Sequence, residues 1–376
     1  MHLSEAATPA LVLDRGKLER NCARMHAKAR SLGVGLRPHM KTLKSIDAAR
    51  LAIDPAHGGI AVSTLKEADY FAGHGISDIQ YAVCLTPDKL TRAAAIVARA
   101  SKLSAFLDSV EMAEAVAAFV GAGNPPFGIW IEIDSGEHRT GIAPDDERLT
   151  AIAMILREAE VPLAGVATHG GHCYGERTPE GVAAVAEQER LAVVTAARRL
   201  RAAGFAVPGV SAGSTPTSVH RRSASGLSEL RAGVFMAGDL FQSGIGSLAE
   251  EEIAVSVLAS VIGHRPELNQ IVVDAGGLAL SKDRSTAALA DGDLGYGVVL
   301  DIEGRASLGR LVVGGVHQEH GEIRGAAPLP FERLPIGAKL RILPNHVCMT
   351  AAIHDSYLVV DGGAEIEGRW DKIVGW

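Results

Sequence analysis

Two short segments, far apart in the chain, carry residue types whose order suggests chemistry. Leu36-Arg37-Pro38-His39-Met40-Lys41-Thr42-Leu43-Lys44 sets Lys41 just after an apolar run. A lysine in a partly desolvated mouth can have its pKa lowered and condense with a carbonyl carbon as a Schiff base. Two surface lysines following a strand account for the spacing equally well. The second segment is Pro344-Asn345-His346-Val347-Cys348. In a strand, residues i and i+2 share a face, so the His346 imidazole and Cys348 thiolate can hold one ion. That donor pair suits zinc, with manganese or magnesium as alternatives, and leaves positions for water and substrate oxygens. A lone His-x-Cys is more commonly a buried Cys beside a structural His.

Three further groups matter in combination. Ala212-Gly213-Ser214-Thr215-Pro216-Thr217 offers backbone N–H groups and hydroxyls that can cradle an anion, although taken alone it reads as a turn. Arg231-Ala232-Gly233-Val234 brings a cation and a second glycine. His138-Arg139-Thr140-Gly141 and His169 add another Arg and a flat imidazole. Singly, Arg139 is a surface ion-pair partner and His169 a satisfied core residue.

The elements that must position these residues fall into two textures. Strand-like runs are expected at 35–40, 59–63, 79–83, 103–108, 127–133, 163–169, 209–212 and 229–236. Helical stretches at Leu18 to Leu32, Asp88 to Ala100 and Thr178 to Ala203 alternate with them. Eight strands in such an array predict a (β/α)₈ TIM-like barrel over 10–245, an α/β fold. No G-x-G-x-x-G follows the first strand, which disfavours an open dinucleotide-binding sheet. Beyond Ile245 the runs 254–263, 270–274, 311–316, 339–343 and 357–362 are strand-like, and helical periodicity is nearly absent. A C-terminal mostly-β domain over 246–376 is expected, and residues 1–9 could add to it.

On a barrel, chemistry gathers at the C-terminal ends of the strands, with phosphate held after strands 7 and 8. Lys41 on strand 1, Arg139 after strand 5, His169 on strand 6 and the Gly213-Ser214-Thr215 and Gly233-Val234 loops then share one rim. Those are the parts pyridoxal 5'-phosphate requires. Lys41 would take the aldehyde carbon, the loops the phosphate, Arg139 the phenolic oxygen, and His169 the ring face.

Composition excludes other classes. Of 376 residues, 47% are hydrophobic and 22% charged, and the net charge of −7 is unsuited to nucleic acid. No run approaches the roughly 20 apolar residues of a membrane span. The four scattered cysteines and the absence of a basic-then-apolar leader give the expectation of a cytoplasmic protein.

Through ordered blocks along nearly its whole length, the chain resembles the fold-type III, alanine-racemase-like pyridoxal-phosphate enzymes. Within them it is most similar to the group of D-serine dehydratases, 3-hydroxy-D-aspartate dehydratases and D-threonine aldolases. The blocks include Thr8-Pro9-Ala10-Leu11, the Lys41 segment, Val62-Ser63-Thr64-Leu65-Lys66-Glu67-Ala68 and the Gly213 loop. They continue with Val273-Asp274-Ala275-Gly276, Gln318-Glu319-His320-Gly321 and the His346 segment. The resemblance implies a homodimer in which Lys41 is the Schiff-base lysine and His346 and Cys348 hold the metal. It implies that Arg139, His169, Tyr174 and Gly213 to Thr215 line the cofactor, and that Arg231 stands where racemases set an Arg against the pyridine nitrogen. Leu43 departs from the common Lys-Thr-His-Lys pattern.

The activity implied is loss of water from a β-hydroxy D-amino acid such as D-serine or 3-hydroxy-D-aspartate, giving a 2-oxo acid and ammonia. The alternative is retro-aldol cleavage of D-threonine to glycine and an aldehyde. His-x-Cys and the Ile133 to Arg139 block tilt the reading to the dehydratases. A racemase would need a second base, and no tyrosine is evident in its place. A non-catalytic cofactor carrier would lack the β domain. Arg221, Arg222 and Arg284 are each read as solvated charges, although any could bind a substrate carboxylate.

Overall fold

The computed structural model describes residues 1–376 apart from 98, 101, 290, 291 and 326. Its contacts divide the chain into two units: Arg24–Lys41 with Ala49–Gly233 and Trp376, and Met1–Ala23 with Thr42–Ala48 and Val234–Gly375.

Among the described residues, the first unit holds eight parallel strands. After β1 (Ala10–Asp14), which belongs to the other unit, come β2 (Gly35–Pro38), β3 (Ile60–Val62), β4 (Asp78–Cys84) and β5 (Lys102–Leu107). The set continues with β6 (Gly128–Glu132), β7 (Leu163–Ala167), β8 (Gly209–Ala212) and β9 (Glu229–Ala232). They pair in the order β2-β9-β8-β7-β6-β5-β4-β3. A bridge between His39 and Ala61 closes the ring, with the Met40 N–H donating to the Ala61 carbonyl at 2.8 Å. The expected TIM-like barrel is therefore the observed one. Its strands are shorter than expected at several ends; 229–236, for example, stops at Ala232 and turns into a 3₁₀ segment.

Helices start where hydroxyl side chains can accept the first free N–H groups. Thr64, Ser109 and Thr178 each cap in this way, and Thr178 is followed by Pro179 at the first helical position. The expected helix over Asp88 to Ala100 splits into a 3₁₀ turn at Pro87–Lys89 and a helix at Leu90–Val97; Ala98 lies outside the described residues.

The second unit is a nine-stranded sheet. It contains β1, β10 (Val255–Arg265), β11 (Gln270–Val273), β12 (Gly297–Leu300) and β13 (Leu311–Val316), then β14 (Gly321–Arg324), β15 (Lys339–Pro344), β16 (Ser356–Val360) and β17 (Gly368–Asp371). The order is β11-β14-β13-β12-β15-β10-β1-β16-β17. Ala10–Asp14, which falls inside the expected barrel range, instead pairs antiparallel with β10 and parallel with β16. Leu11, Val12 and Leu13 are all buried, as a strand covered on both faces requires. Among the described residues no helix is long and apolar enough to cross a membrane.

One buried ion pair anchors the barrel unit's longest helix, Pro179–Ala202. Glu189 (0% exposed) accepts from Arg221 (1% exposed) at 2.5 Å and from the Gly170 N–H at 2.7 Å. Arg221 is thus buried, and its reading as a solvated charge is overturned. Removing one partner of such a pair strands the other charge in a low dielectric. Glu189→Ala is expected to cost about 3–5 kcal/mol in a urea-unfolding experiment, and the pair Glu189→Leu with Arg221→Met to restore most of it.

Candidate active site

The candidate cofactor residues sit at the C-terminal ends of the barrel strands. Lys41 follows β2 with an exposed side chain, so it is not in the desolvated setting expected for it. Its backbone N–H donates to His39 Nδ1 at 3.3 Å, and His39 Nε2 lies 3.4 Å from Ser63 Oγ. Burial, with Lys41, Arg231 and His169 nearby, holds the His39 pKa well below the usual imidazole value. The neutral ring accepts at Nδ1, so its proton is on Nε2.

His169, just past β7, donates from Nδ1 to the Gly213 carbonyl at 3.1 Å. Burial brings its pKa down to about 3, against the opposing pull of that carbonyl. A neutral imidazole of fixed tautomer suits contact with an aromatic ring. Tyr174 lies in the 3₁₀ turn Gly171–Gly175 and packs against the cluster of Cys173, Val182 and Val185. Arg139 is exposed and pairs with Glu137 at 3.2 Å.

Arg231 is deeply buried. It donates to Ser211 Oγ at 2.7 Å and to the Thr168 carbonyl at 2.8 Å, and stands 5.1 Å from the Phe106 ring centre. Burial lowers its pKa, while Glu229 and Glu132 oppose that effect. The Ser211 hydroxyl donates to Glu229 at 2.8 Å, and Glu229 also takes the Arg37 Nε–H and His57. Against a burial penalty that would raise it, Arg37 first and then His57 and Ser211 bring the Glu229 pKa to about 2.

The Gly213 loop is built for close approach. Gly213 has φ of +131°, and a Cβ there would meet Ser218 Oγ at 2.8 Å and the Arg231 carbonyl at 2.9 Å. A Cβ on Gly233 would meet the His39 carbonyl at 2.7 Å. Ser214 caps the helix Thr215–His220 in a reciprocal box with Thr217. The Ser214 N–H is therefore already bonded to Thr217 Oγ1. Ser218 Oγ, by contrast, is buried with no partner among the described residues. An orphaned hydroxyl beside a glycine cradle fits a phosphate-bearing cofactor. Val234 falls in the second unit.

The candidate metal ligands lie in that second unit, and their local structure differs from the strand expected. The strand β15 stops at Pro344, His346 caps a short helix, and Cys348 sits in its first turn. The buried Asn345 amide pulls the chain out of the sheet through the Thr286 hydroxyl and the Gly295 carbonyl, at 2.6 and 2.7 Å. A turn rather than a strand face thus brings imidazole and thiol together. Three residues that the sequence did not mark support them. Asp283 takes His346 Nδ1 at 2.8 Å, Asp239 takes the Val347 N–H at 3.0 Å, and Thr42 Oγ1 lies 3.1 Å from Cys348 Sγ. Carboxylate on one imidazole nitrogen, with the other left for an ion, is the usual arrangement of a metal-binding histidine. The donor set therefore fits a divalent metal.

Among the described residues, one group of three metal-capable side chains lies elsewhere: Cys84, Asp108 and Glu132. The Cys84 thiol donates to Glu132 at 3.1 Å, and burial with those two carboxylates raises its pKa. It is a satisfied hydrogen bond. Arg284, read as solvated, pairs with Asp293; Arg222 is exposed.

The family described as alanine racemase, N-terminal domain, matches residues 13–240, and a serine dehydratase domain matches 254–360. The chain belongs to this alanine-racemase-like family. It is 44% identical to a D-threo-3-hydroxyaspartate dehydratase of Delftia sp. (strain HT23), covering 98% of both chains. It is 30% identical to a D-serine dehydratase of Dictyostelium discoideum over 96% of this chain and 94% of that one. A metal-free Cys-to-Ala variant of the D-threo-3-hydroxyaspartate dehydratase superposes with a TM-score of 0.95 at 42% identity, each chain covered completely. A His-to-Ala variant of that enzyme, two positions earlier, gives the same score, with 100% of this chain and 97% of that one covered.

Burial by itself would lower the His346 pKa. The hydrogen bond and charge of Cys348, with Asp239 and Asp283 behind them, outweigh burial and raise it to about 10. The folded metal-free protein thus holds this proton more tightly than the unfolded chain, where imidazole titrates near 6.5. The resulting stability is complete below about pH 6.5 and lost as pH rises through about 10. Thermal unfolding of metal-free protein across that window is expected to show a falling Tm, and His346→Gln a flatter profile.

Proposed function

We propose that this chain is a pyridoxal-phosphate- and divalent-metal-dependent lyase that removes water from a β-hydroxy D-amino acid. 3-Hydroxy-D-aspartate is the first candidate substrate and D-serine the second, and the products are a 2-oxo acid and ammonia. The observation that carries this reading is the end-to-end 44% identity to a dehydratase of D-threo-3-hydroxyaspartate. The metal-free form of that enzyme's Cys-to-Ala variant, with a histidine two positions before, has the His346/Cys348 spacing. It supports a metal at that pair, which we propose to be a divalent ion such as zinc.

When bound, the cofactor supplies an electron sink for a Cα carbanion and the metal a Lewis acid for the departing hydroxyl. This chain's own residues do the rest. The Lys41 amine would hold the cofactor and, once displaced by the substrate amine, would move the proton at Cα. Arg231, fixed as a donor by Ser211 and the Thr168 carbonyl, would be offered to the pyridine nitrogen. The neutral His169, held by Gly213, would face the cofactor ring. The Gly213 and Gly233 backbone, with the Ser218 hydroxyl that has no partner among the described residues, would take the phosphate. His346 and Cys348 would hold the metal, with Asp283 orienting the imidazole.

The test uses the reconstituted, metal-loaded enzyme with 3-hydroxy-D-aspartate, D-serine and D-threonine. Oxo acid and ammonia in equal amounts, without glycine, are expected from the first two. Glycine with an aldehyde from D-threonine as the main activity would overturn the reading in favour of an aldolase. Lys41→Ala is expected to lower the rate by about 10²–10⁴-fold, the usual worth of a positioned acid–base group.

A further inference from the structure

We infer that Thr42 is a positioning residue for the metal: its hydroxyl donates to the Cys348 thiolate and sets that ligand's orientation and donor strength. The inference rests on the metal reading above and deepens it. Thr42 is 1% exposed, and its Oγ1 lies 3.1 Å from Cys348 Sγ across 306 positions of sequence. A metal-bound cysteine has no proton to give, so in that state the hydroxyl is the donor. A hydrogen bond to a thiolate draws charge from sulfur and fixes its rotamer, which is how residues behind the ligands tune a metal site.

The backbone around Thr42 is held as a positioning role requires. The Leu43 carbonyl accepts from the buried Tyr357 hydroxyl at 3.0 Å, and the Lys44 carbonyl accepts from the Ile373 N–H at 2.9 Å. Lys44 itself has φ of +53°, a conformation a lysine adopts rarely. Leu43, where the family pattern has His, is fully buried. The hydroxyl is therefore presented by a segment with little freedom to drift, and a mobile surface threonine would not serve.

Thr42→Val keeps the shape and removes the donor, and Thr42→Ser keeps the donor and removes a methyl. In the holoenzyme, metal affinity is measured by competition with a chromogenic chelator, with His346→Ala as the reference for loss of the site. Thr42→Val is expected to weaken binding by about 10–100-fold, with Thr42→Ser restoring most of it. With Co(II), the sulfur-to-metal charge-transfer band, read as a difference spectrum against metal-free holoenzyme, should move to longer wavelength in Thr42→Val alone. Equal affinity and an unmoved band in Thr42→Val would overturn the inference while leaving the metal site intact. Thr42→Ser behaving like Thr42→Val would reduce the role to packing and overturn it too. If wild type and His346→Ala bind metal equally, the failure is that of the underlying metal reading instead.

Discussion

Arg37 and Arg231 are register partners on adjacent barrel strands, so two guanidinium groups enter one low-dielectric interior side by side. Like charges opposed in this way repel, and burial denies them water. Glu229 makes the arrangement tolerable. Held ionised by Arg37, His57 and Ser211, it can only accept hydrogen bonds. The Ser211 hydrogen must therefore point at Glu229, and its oxygen must face Arg231. The orientation of a cation offered to the candidate cofactor thus follows from the charge state of a carboxylate deeper in the barrel. From there the chain of bonds continues through Arg37 to Asp78 at 2.6 Å.

The β-rich unit solves a comparable problem with backbone donors. Burial pushes the Asp239 pKa up to about 6, yet its two oxygens do separate jobs. One caps the helix Leu240–Gly244 through the Gln242 N–H, and the other holds the Val347 N–H between the two candidate ligands. Asp283 fixes the imidazole and Asn345 fixes the exit from the strand. Together Asp239, Asp283 and Asn345 set where the two candidate ligands, His346 and Cys348, point.

Much of this was legible in the sequence, for reasons that also explain what was not. Barrel strands are buried on both faces and read as short apolar runs, so their existence was plain even where their ends were not. In the sheet, β12, β14 and β17 are only four residues each, and Gly368-Arg369-Trp370-Asp371 has no apolar alternation to find. Lys41, His169, Gly213, His346 and Cys348 stood out as candidates through their combination and through the family resemblance, since each taken alone has a structural reading. Thr42, Asp239, Asp283, Ser211 and Glu229 did not, because their roles arise from contacts far apart in sequence. Glu189 did leave a signal. It falls on the apolar stripe of Val182, Ala186, Val193 and Ala197, where a solvated glutamate has no reason to be. The strand assumed for His346 and Cys348 failed on the buried polar demand of Asn345, which periodicity does not register.

The division of the chain has a consequence for anyone building hybrids from this family. The backbone passes between the two units at Ala23/Arg24, Lys41/Thr42, Ala48/Ala49 and Gly233/Val234. The candidate nucleophile and the hydroxyl beside the candidate thiolate ligand are consecutive residues assigned to different units. No single cut can separate the modules. A chimera joined only near Gly233 would keep Thr42–Ala48 from one parent and Cys348, Tyr357 and Ile373 from the other. The heritable module is thus discontinuous, and the seven residues after Lys41 must travel with the C-terminal half.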